Sequence, residues 1–194
     1  MAAQPSESAL SFPAPGALEA GRQSAASSLV EEVAGLFDQL RNPLLRYVIG
    51  LGLPVQDGED IIQEVFLSLF QHLRQGRSRS NLRAWTFRVA HNQALKRRSR
   101  VRIGAQQPED EEARWADLAP DPNPSPEDQL ADSQKRQRVL AVVTALPEQD
   151  RNCLILRAEG LRYREIAEVL DISLGTVSVS LQRSLARLAR AAQR

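Results

Sequence analysis

The sequence predicts an all-α protein built as two small helical domains joined by a flexible acidic linker. Three observations carry that expectation. Apolar residues recur at three- and four-residue spacing, and no segment sustains the period-two alternation of a half-buried strand. Mid-chain, over 103–133, the apolar pattern collapses into "QQPEDEEARWADLAPDPNPSPEDQ", which is acidic and holds five prolines. Such a stretch cannot bury a core and reads as a linker. Charge is also sorted along the 194 residues, although the net charge is only +1. From Gly76 to Gly104 there are nine Arg or Lys and no Asp or Glu; from Ala105 to Ser133, nine Asp or Glu and one Arg; from Gln134 onward, eleven basic and six acidic residues. A basic run of nine with no opposite charge points to an electrostatic partner, against the plainer alternative of solvated surface.

The first 28 residues begin "MAAQPSESALSFPAPG", with no early basic residue and no apolar central region. They read as a disordered tail and not as a signal peptide. The first helical stripe is Leu29, Val33, Leu36, Phe37 and Leu40; Pro43 is expected to interrupt it, and Leu44, Leu45, Val48 and Ile49 resume it. Gly50, Gly52 and Pro54 break the chain. Asp57 suits the N-cap of a second helix carrying Ile61, Ile62, Val65, Phe66, Leu69 and Leu73, with Glu59 and Asp60 in its first turn. "RQGRSRS" is a basic loop, and Asn81 can cap a third helix with Leu82, Trp85, Val89 and Leu95 that ends in "KRRSR". Trp85 lies on the Leu82–Val89 stripe and is expected in the core. Phe87 lies off it, and both a core and a surface role stay open.

Beyond the linker, residues 134–194 hold four short helical patterns. Val139, Leu140, Val143 and Leu146 form the first. The second starts with Pro147 at its first position, contains Cys153, Leu154 and Leu156, and closes at Gly160. Ile166, Ala167, Val169 and Leu170 form the third. Asp171 and Ile172 make a turn, and Ser173 or Thr176 caps the last helix. Two short helices about a tight turn are the outline of a helix-turn-helix, whose second helix is offered to the DNA major groove. In that helix Val177, Leu181, Leu185 and Leu188 are expected to face the core. Thr176, Ser178, Val179, Ser180, Gln182, Arg183 and Arg187 then remain for phosphates and base edges, with Ser173 at the helix start. No charged side chain lies between Gly175 and Gln182, so the electrostatic share of binding there is expected to be small. A plain helical hairpin is the other reading of the same pattern.

Catalysis and cofactors are not expected. His72 and His91 lack metal-ligand spacing, and there is no phosphate-binding glycine loop and no nucleophile–base pair. The lone cysteine, Cys153, sits in an apolar pattern and reads as a reduced core thiol of a cytosolic, cytoplasmic protein. The longest apolar run, Val139 to Leu146, is far too short to span a bilayer, so no membrane insertion is expected.

Three stretches in order resemble the two-domain sigma factors of the sigma-70 superfamily, of the extracytoplasmic-function (ECF, group 4) type. "EDIIQEVFLSLF" is similar to the family's polymerase-docking segment, "NLRAWTFRVAHNQALKRRSR" to its promoter −10 segment, and "LPEQDRNCLILRAEGLRYREIAEVLDISLGTVSVSLQRSLARL" to its −35 domain. The resemblance implies sigma domain 2 over 29–102 and sigma domain 4 over 134–194. It implies core RNA polymerase (the β′ clamp coiled coil and the β subunit) and promoter DNA as partners, and raises an anti-sigma factor as a third. Asp60, Gln63 and Glu64, with Phe66 as apolar anchor, would dock on polymerase. Arg77, Arg79, Asn81, Arg83, Arg88, Asn92, Lys96, Arg97 and Arg98 would hold the melted −10 strand. Glu109, Asp110, Glu111 and Glu112 would occupy a basic channel of the polymerase, a solubilising spacer being the alternative.

Two departures stand out. Lys96 stands where family members often carry Asp, and Ser178, Val179 and Ser180 where they often carry Lys or Arg. The −35 contact is therefore expected to be weak in isolation and to depend on polymerase tethering both domains. Two further readings stay open: a stand-alone helix-turn-helix transcriptional regulator, and a sigma-like protein-interaction module.

Overall fold

The computed structural model of the chain describes residues 15–104 and 137–192, with side chains from 27 to 100 and from 137 to 191. Every regular element among them is helical. Helix α1 spans Pro15–Gly50, α2 Val55–Arg74 and α3 Leu82–Gly104. Helix α4 covers 137–144. Then come α5 (Glu148–Ala158), α6 (Tyr163–Leu170) and α7 (Leu174–Ala192). The linker acids Glu109, Asp110, Glu111 and Glu112 lie outside the described residues.

Helix α1 corrects two expectations. It starts at Pro15, so residues 15–28 are helical where a tail was expected; proline is tolerated in a first turn, and the Ala-, Glu- and Arg-containing segment has good helix propensity. It also runs unbroken through Pro43. An interior proline costs about 3 kcal/mol. The stripe Leu40, Leu44, Tyr47, Val48 and Leu51 keeps its phase across Pro43 and is buried throughout. Burial of side chains that large outweighs one lost hydrogen bond. Leu51, Gly52 at φ 90° and Leu53 then turn the chain into α2.

Helix α2 buries Ile61, Ile62, Val65, Phe66, Leu69 and Leu73, as its periodicity predicts. Its N-cap is Pro54 and not Asp57, which lies inside the first turn, where its carboxylate receives Arg97 at 2.7 Å. Helices α1 and α2 approach closely at Gly58, where a Cβ would stand 2.9 Å from Leu45 Cδ1. Asn81, expected to cap α3, has φ 53°, and its side-chain amide turns instead to Glu168.

In the C-terminal half, Pro147 is the N-cap of α5 and not its first residue. The backbone N–H of Arg162 donates to Glu165 Oε2 at 2.6 Å at the start of α6. Asp171 takes the left-handed conformation that ends α6, and Ser173 Oγ accepts from the Thr176 N–H at 3.1 Å to start α7. The turn is thus three residues long, as a helix-turn-helix requires.

The halves are not held apart. Helix α3 packs on α6 and α1 on α5, and a buried apolar cluster runs from Tyr47, Leu69 and Phe87 to Cys153, Leu156, Leu161 and Ile166.

Candidate nucleic-acid interface

The loop between α2 and α3 and the first turns of α3 form a cavity of about 320 Å³ lined by His72, Ser78, Ser80, Asn81, Ala84, Trp85, Arg88 and Glu168. Local hydrogen bonds shape it. His72 Nε2 donates to the Ser78 carbonyl at 2.9 Å, and the Ser78 and Ser80 hydroxyls are 2.7 Å apart. The His72 ring packs on Trp85 at 4.8 Å between centroids. A half-exposed indole with hydroxyls, an amide and a guanidinium around it can receive a flat aromatic heterocycle.

The structure settles the two aromatics: Trp85, expected in the core, packs against it only in part, and Phe87, left open, is the core residue. Phe87 is fully buried, its ring 5.6 Å from Tyr47, while Trp85 is only partly buried and lines the cavity. Trp85, Arg88, Asn92 and Lys96 follow at helical spacing on one face of α3, and the last three are exposed. Arg77 is exposed in the loop itself. The remaining residues expected at the −10 strand are engaged within the chain. Arg79 pairs with Glu32 at 3.2 Å, and Arg97 with Asp57 at 2.7 Å and Asp60 at 3.5 Å. Asn81 donates to Glu168 at 3.4 Å, Arg83 donates to the Glu159 carbonyl, and Arg98 pairs with Glu148.

Beneath this face Tyr47 and His91 are buried with the Tyr47 hydroxyl 2.7 Å from His91 Nδ1. Burial lowers the His91 pKa and raises that of Tyr47. The lowered His91 pKa favours the neutral imidazole, whose Nδ1 shares one hydrogen bond with the Tyr47 hydroxyl.

On α2, Asp60 is partly exposed and Gln63 and Glu64 are exposed. Phe66, expected as an apolar anchor for polymerase, is 6% exposed and packs edge-on against Phe37 at 4.9 Å, so it belongs to the core. The exposed apolar residue is Leu67, at 60%. Asp60, Gln63, Glu64 and Leu67 fall at i, i+3, i+4 and i+7, so the spacing already held this signal.

On α7, Ser173, Ser178, Val179, Gln182 and Arg187 are exposed and Thr176 partly so. Ser180 is not available: it is 2% exposed and hydrogen-bonds Cys153. The core stripe is Val177, Ser180, Leu181 and Ser184, while Leu185, expected inside, is 53% exposed. Arg183, expected on phosphate, is half-exposed and pairs at 3.1 Å with the buried carboxylate of Asp150. Burial raises the Cys153 thiol to about 11, with the Ser180 hydrogen bond opposing.

Among the described residues, no three His, Cys, Asp or Glu are placed to hold a metal ion, and no helix is long and apolar enough to cross a membrane.

A helix-turn-helix in one half and a basic, aromatic-lined face in the other define a helical protein with two candidate nucleic-acid surfaces. The comparisons give the family. Residues 36–102 match Sigma-70 region 2, and residues 136–188 match Sigma-70, region 4. The chain is 31% identical over 140 residues to the ECF RNA polymerase sigma-E factor of Escherichia coli K12, covering 68% of this chain and 72% of that protein. It is 33% identical over 136 residues to the ECF RNA polymerase sigma factor SigE of Mycolicibacterium smegmatis. It is 31% identical over 151 residues to a probable RNA polymerase sigma factor, RfaY, of Xanthomonas campestris pv. campestris. The matches cover 68% and 75% of this chain but only 50% and 36% of those two relatives. Two solved structures share the fold at 22% identity. CnrH in complex with the cytosolic domain of CnrY has a TM-score of 0.56 and covers 87% of this chain and 92% of its own. The sigma factor RpoE in complex with the anti-sigma factor NepR from Bartonella quintana has a TM-score of 0.54 and covers 79% and 92%. The chain belongs to the ECF RNA polymerase sigma factors.

Proposed function

We propose that this protein is a promoter-specificity subunit: it binds core RNA polymerase, directs it to −35 and −10 elements, and helps hold the melted −10 strand, without catalysing a reaction itself. The observation that carries this is the face of Trp85, Arg88, Asn92 and Lys96 leading from the 320 Å³ cavity. A cavity beside an aromatic can take an unstacked base, and the cationic and amide groups beyond it can follow the strand. Asp60, Gln63, Glu64 and Leu67 form the docking face, with Leu67 as apolar anchor and the acidic residues as rim. On α7, Ser178, Val179 and Gln182 read base edges, with Ser173, Thr176 and Arg187 toward phosphates. Domain 2 over 29–102 and domain 4 over 134–194 divide this work, and the acidic linker joins them.

That role places the protein in the cytoplasm with the polymerase. The relative crystallised with an anti-sigma factor supports the same kind of partner here. A stand-alone regulator would use α7 but would leave both the cavity face and the acidic face of α2 without a task. Run-off transcription with purified core polymerase on a pool of genomic fragments tests the proposal. Promoter-dependent transcripts are expected on adding the protein, and none from any fragment would remove the sigma reading.

A further inference from the structure

The loop between α2 and α3 sorts its side chains between two sides. Ser78 and Ser80 line the 320 Å³ cavity, while Arg77 and Arg79 do not. Such alternation is what a short stretch without helical structure gives, since successive side chains of extended chain point opposite ways. On the outer side Arg79 meets Glu32 of α1. Its Nε donates to Oε1 at 3.2 Å and to Oε2 at 3.4 Å, and its Nη2 donates to Oε2 at 3.4 Å. A planar guanidinium held at both oxygens of a carboxylate is fixed in direction as well as in distance.

Glu32 stands on firm ground. On the same stretch of α1, Leu29, Val33, Leu36 and Phe37 pack on the core. The carboxylate is therefore carried by a helix that is itself held down. It lies before residues 36–102, the segment that matches Sigma-70 region 2. Other ties hold the loop to α2 and close its turn. The Arg77 N–H donates to the His72 carbonyl at 3.3 Å, His72 Nε2 donates to the Ser78 carbonyl at 2.9 Å, and the Ser80 N–H donates to Ser78 Oγ at 3.1 Å. The ion pair adds a tie to α1, on the side away from the cavity.

We propose that Glu32 is a positioning residue for the cavity: it holds the Arg79 guanidinium on the outer side of the loop, and this keeps the Ser78 and Ser80 hydroxyls turned toward the base that the cavity takes. The inference rests on the reading of the cavity as the seat of an unstacked base. Arg79 then acts through the serine wall and not on a phosphate. A hydroxyl discriminates between base edges only while its place is fixed, because the preference comes from hydrogen bonds that one edge completes and another leaves unmade. With the pair broken, the wall loosens and the preference falls, while contacts to the backbone of the strand stay as they are.

The test uses the full chain and a short fluorescent strand with abasic flanks. Its one central position carries adenine, cytosine, guanine, thymine or no base. The readout is the affinity for the preferred base divided by that for the strand with none, which a merely structural pair would not move. Glu32→Gln is expected to lower this ratio about three-fold, the scale of a half-exposed ion pair, and to leave the urea midpoint in place. Arg79→Gln is expected to lower it likewise, and Glu32→Arg with Arg79→Glu to restore it. Were Arg79 on a phosphate, Arg79→Gln would weaken all five strands alike, and the exchanged pair would not recover them. That pattern would overturn the inference. A wild-type ratio in Glu32→Gln would do the same and leave the cavity reading standing, as would a lowered ratio that the exchange does not restore. A wild-type chain that binds the strand with no base as tightly as the other four would remove the cavity reading, and the inference with it.

Discussion

Trp85 and Phe87 are two residues apart on α3; the periodicity predicts Trp85 in the core and leaves Phe87 open, and it is Phe87 that is fully buried. A helical stripe assigns a residue to a face but not to a neighbour. Phe87 points between α1 and α3 against Tyr47, while Trp85 stands at the loop end of α3, where the cavity keeps its indole half-open. Phe87→Ala is therefore expected to cost about 3–5 kcal/mol of stability, read by urea unfolding. Trp85→Ala should leave most of the stability and weaken oligonucleotide binding by about 1–3 kcal/mol, measured under the same conditions.

His91 carries a pH prediction at the same scale. Burial holds its pKa below the usual imidazole value, Arg98 pushes the same way and Glu148 opposes. The unfolded chain thus binds a proton, near its ordinary pKa of about 6.5, that the folded chain resists. The contribution of neutral His91 is complete above that value and is lost as pH falls toward the depressed folded pKa. Urea midpoints at pH 7.5 and pH 5.5 should differ more for the wild type than for His91→Gln; an equal difference would remove His91 as the cause.

At the scale of elements, α2 and α7 show how far a period can be trusted. Six buried residues of α2 follow directly from the sequence, yet Phe66 was expected to serve both the core and the partner. The structure assigns it to Phe37 and leaves Leu67 outside. Leu67→Asp is expected to change stability by less than about 0.5 kcal/mol and to weaken polymerase binding at least ten-fold in a titration.

Helix α7 is rotated from the face that its leucines suggest. Ser180 and Ser184 turn inward because Cys153 and the Ser180 carbonyl accept their hydroxyls, and Leu185 turns outward. Small hydroxyl residues can be buried where a local acceptor satisfies them, which no hydrophobic scale records. Arg183 faces Asp150, so Arg183→Ala should cost about 2 kcal/mol by leaving a buried carboxylate without that partner. Gln182→Ala should leave the unfolding curve in place while reducing −35-dependent transcription, which makes it the cleaner probe of DNA contact.

For the whole molecule, the decisive feature is the seam. The charge sorting along the chain was visible, but it suggested a basic half waiting for DNA and an acidic linker apart from it. Besides acids of its own half, such as Glu32 and Asp57, the basic half meets Glu148, Glu159 and Glu168, which are scattered through a mildly basic segment. A continuous apolar cluster joins the halves, so their unfolding should be coupled. Loss of helical ellipticity and exposure of the Cys153 thiol to alkylation are expected to follow one transition on heating. Two separated transitions would show that the halves unfold independently.

The sequence by itself determined the all-helical class, the division into two halves, the helix-turn-helix with Asp171 and Ile172 in its turn, most of the buried stripe of α2 and the basic character of α3. Each of these is set by spacing within a few residues, because helix geometry relates neighbours at three and four positions and turns depend on local backbone chemistry. Tertiary structure alone decided which aromatic is core and which lines the cavity, which face α7 presents, how α1 passes through Pro43, and that Arg46, Asn81, Arg83 and Arg98 face acceptors 50 to 113 positions away. Those pairings depend on how helices pack in space, and packing joins residues that no local period relates.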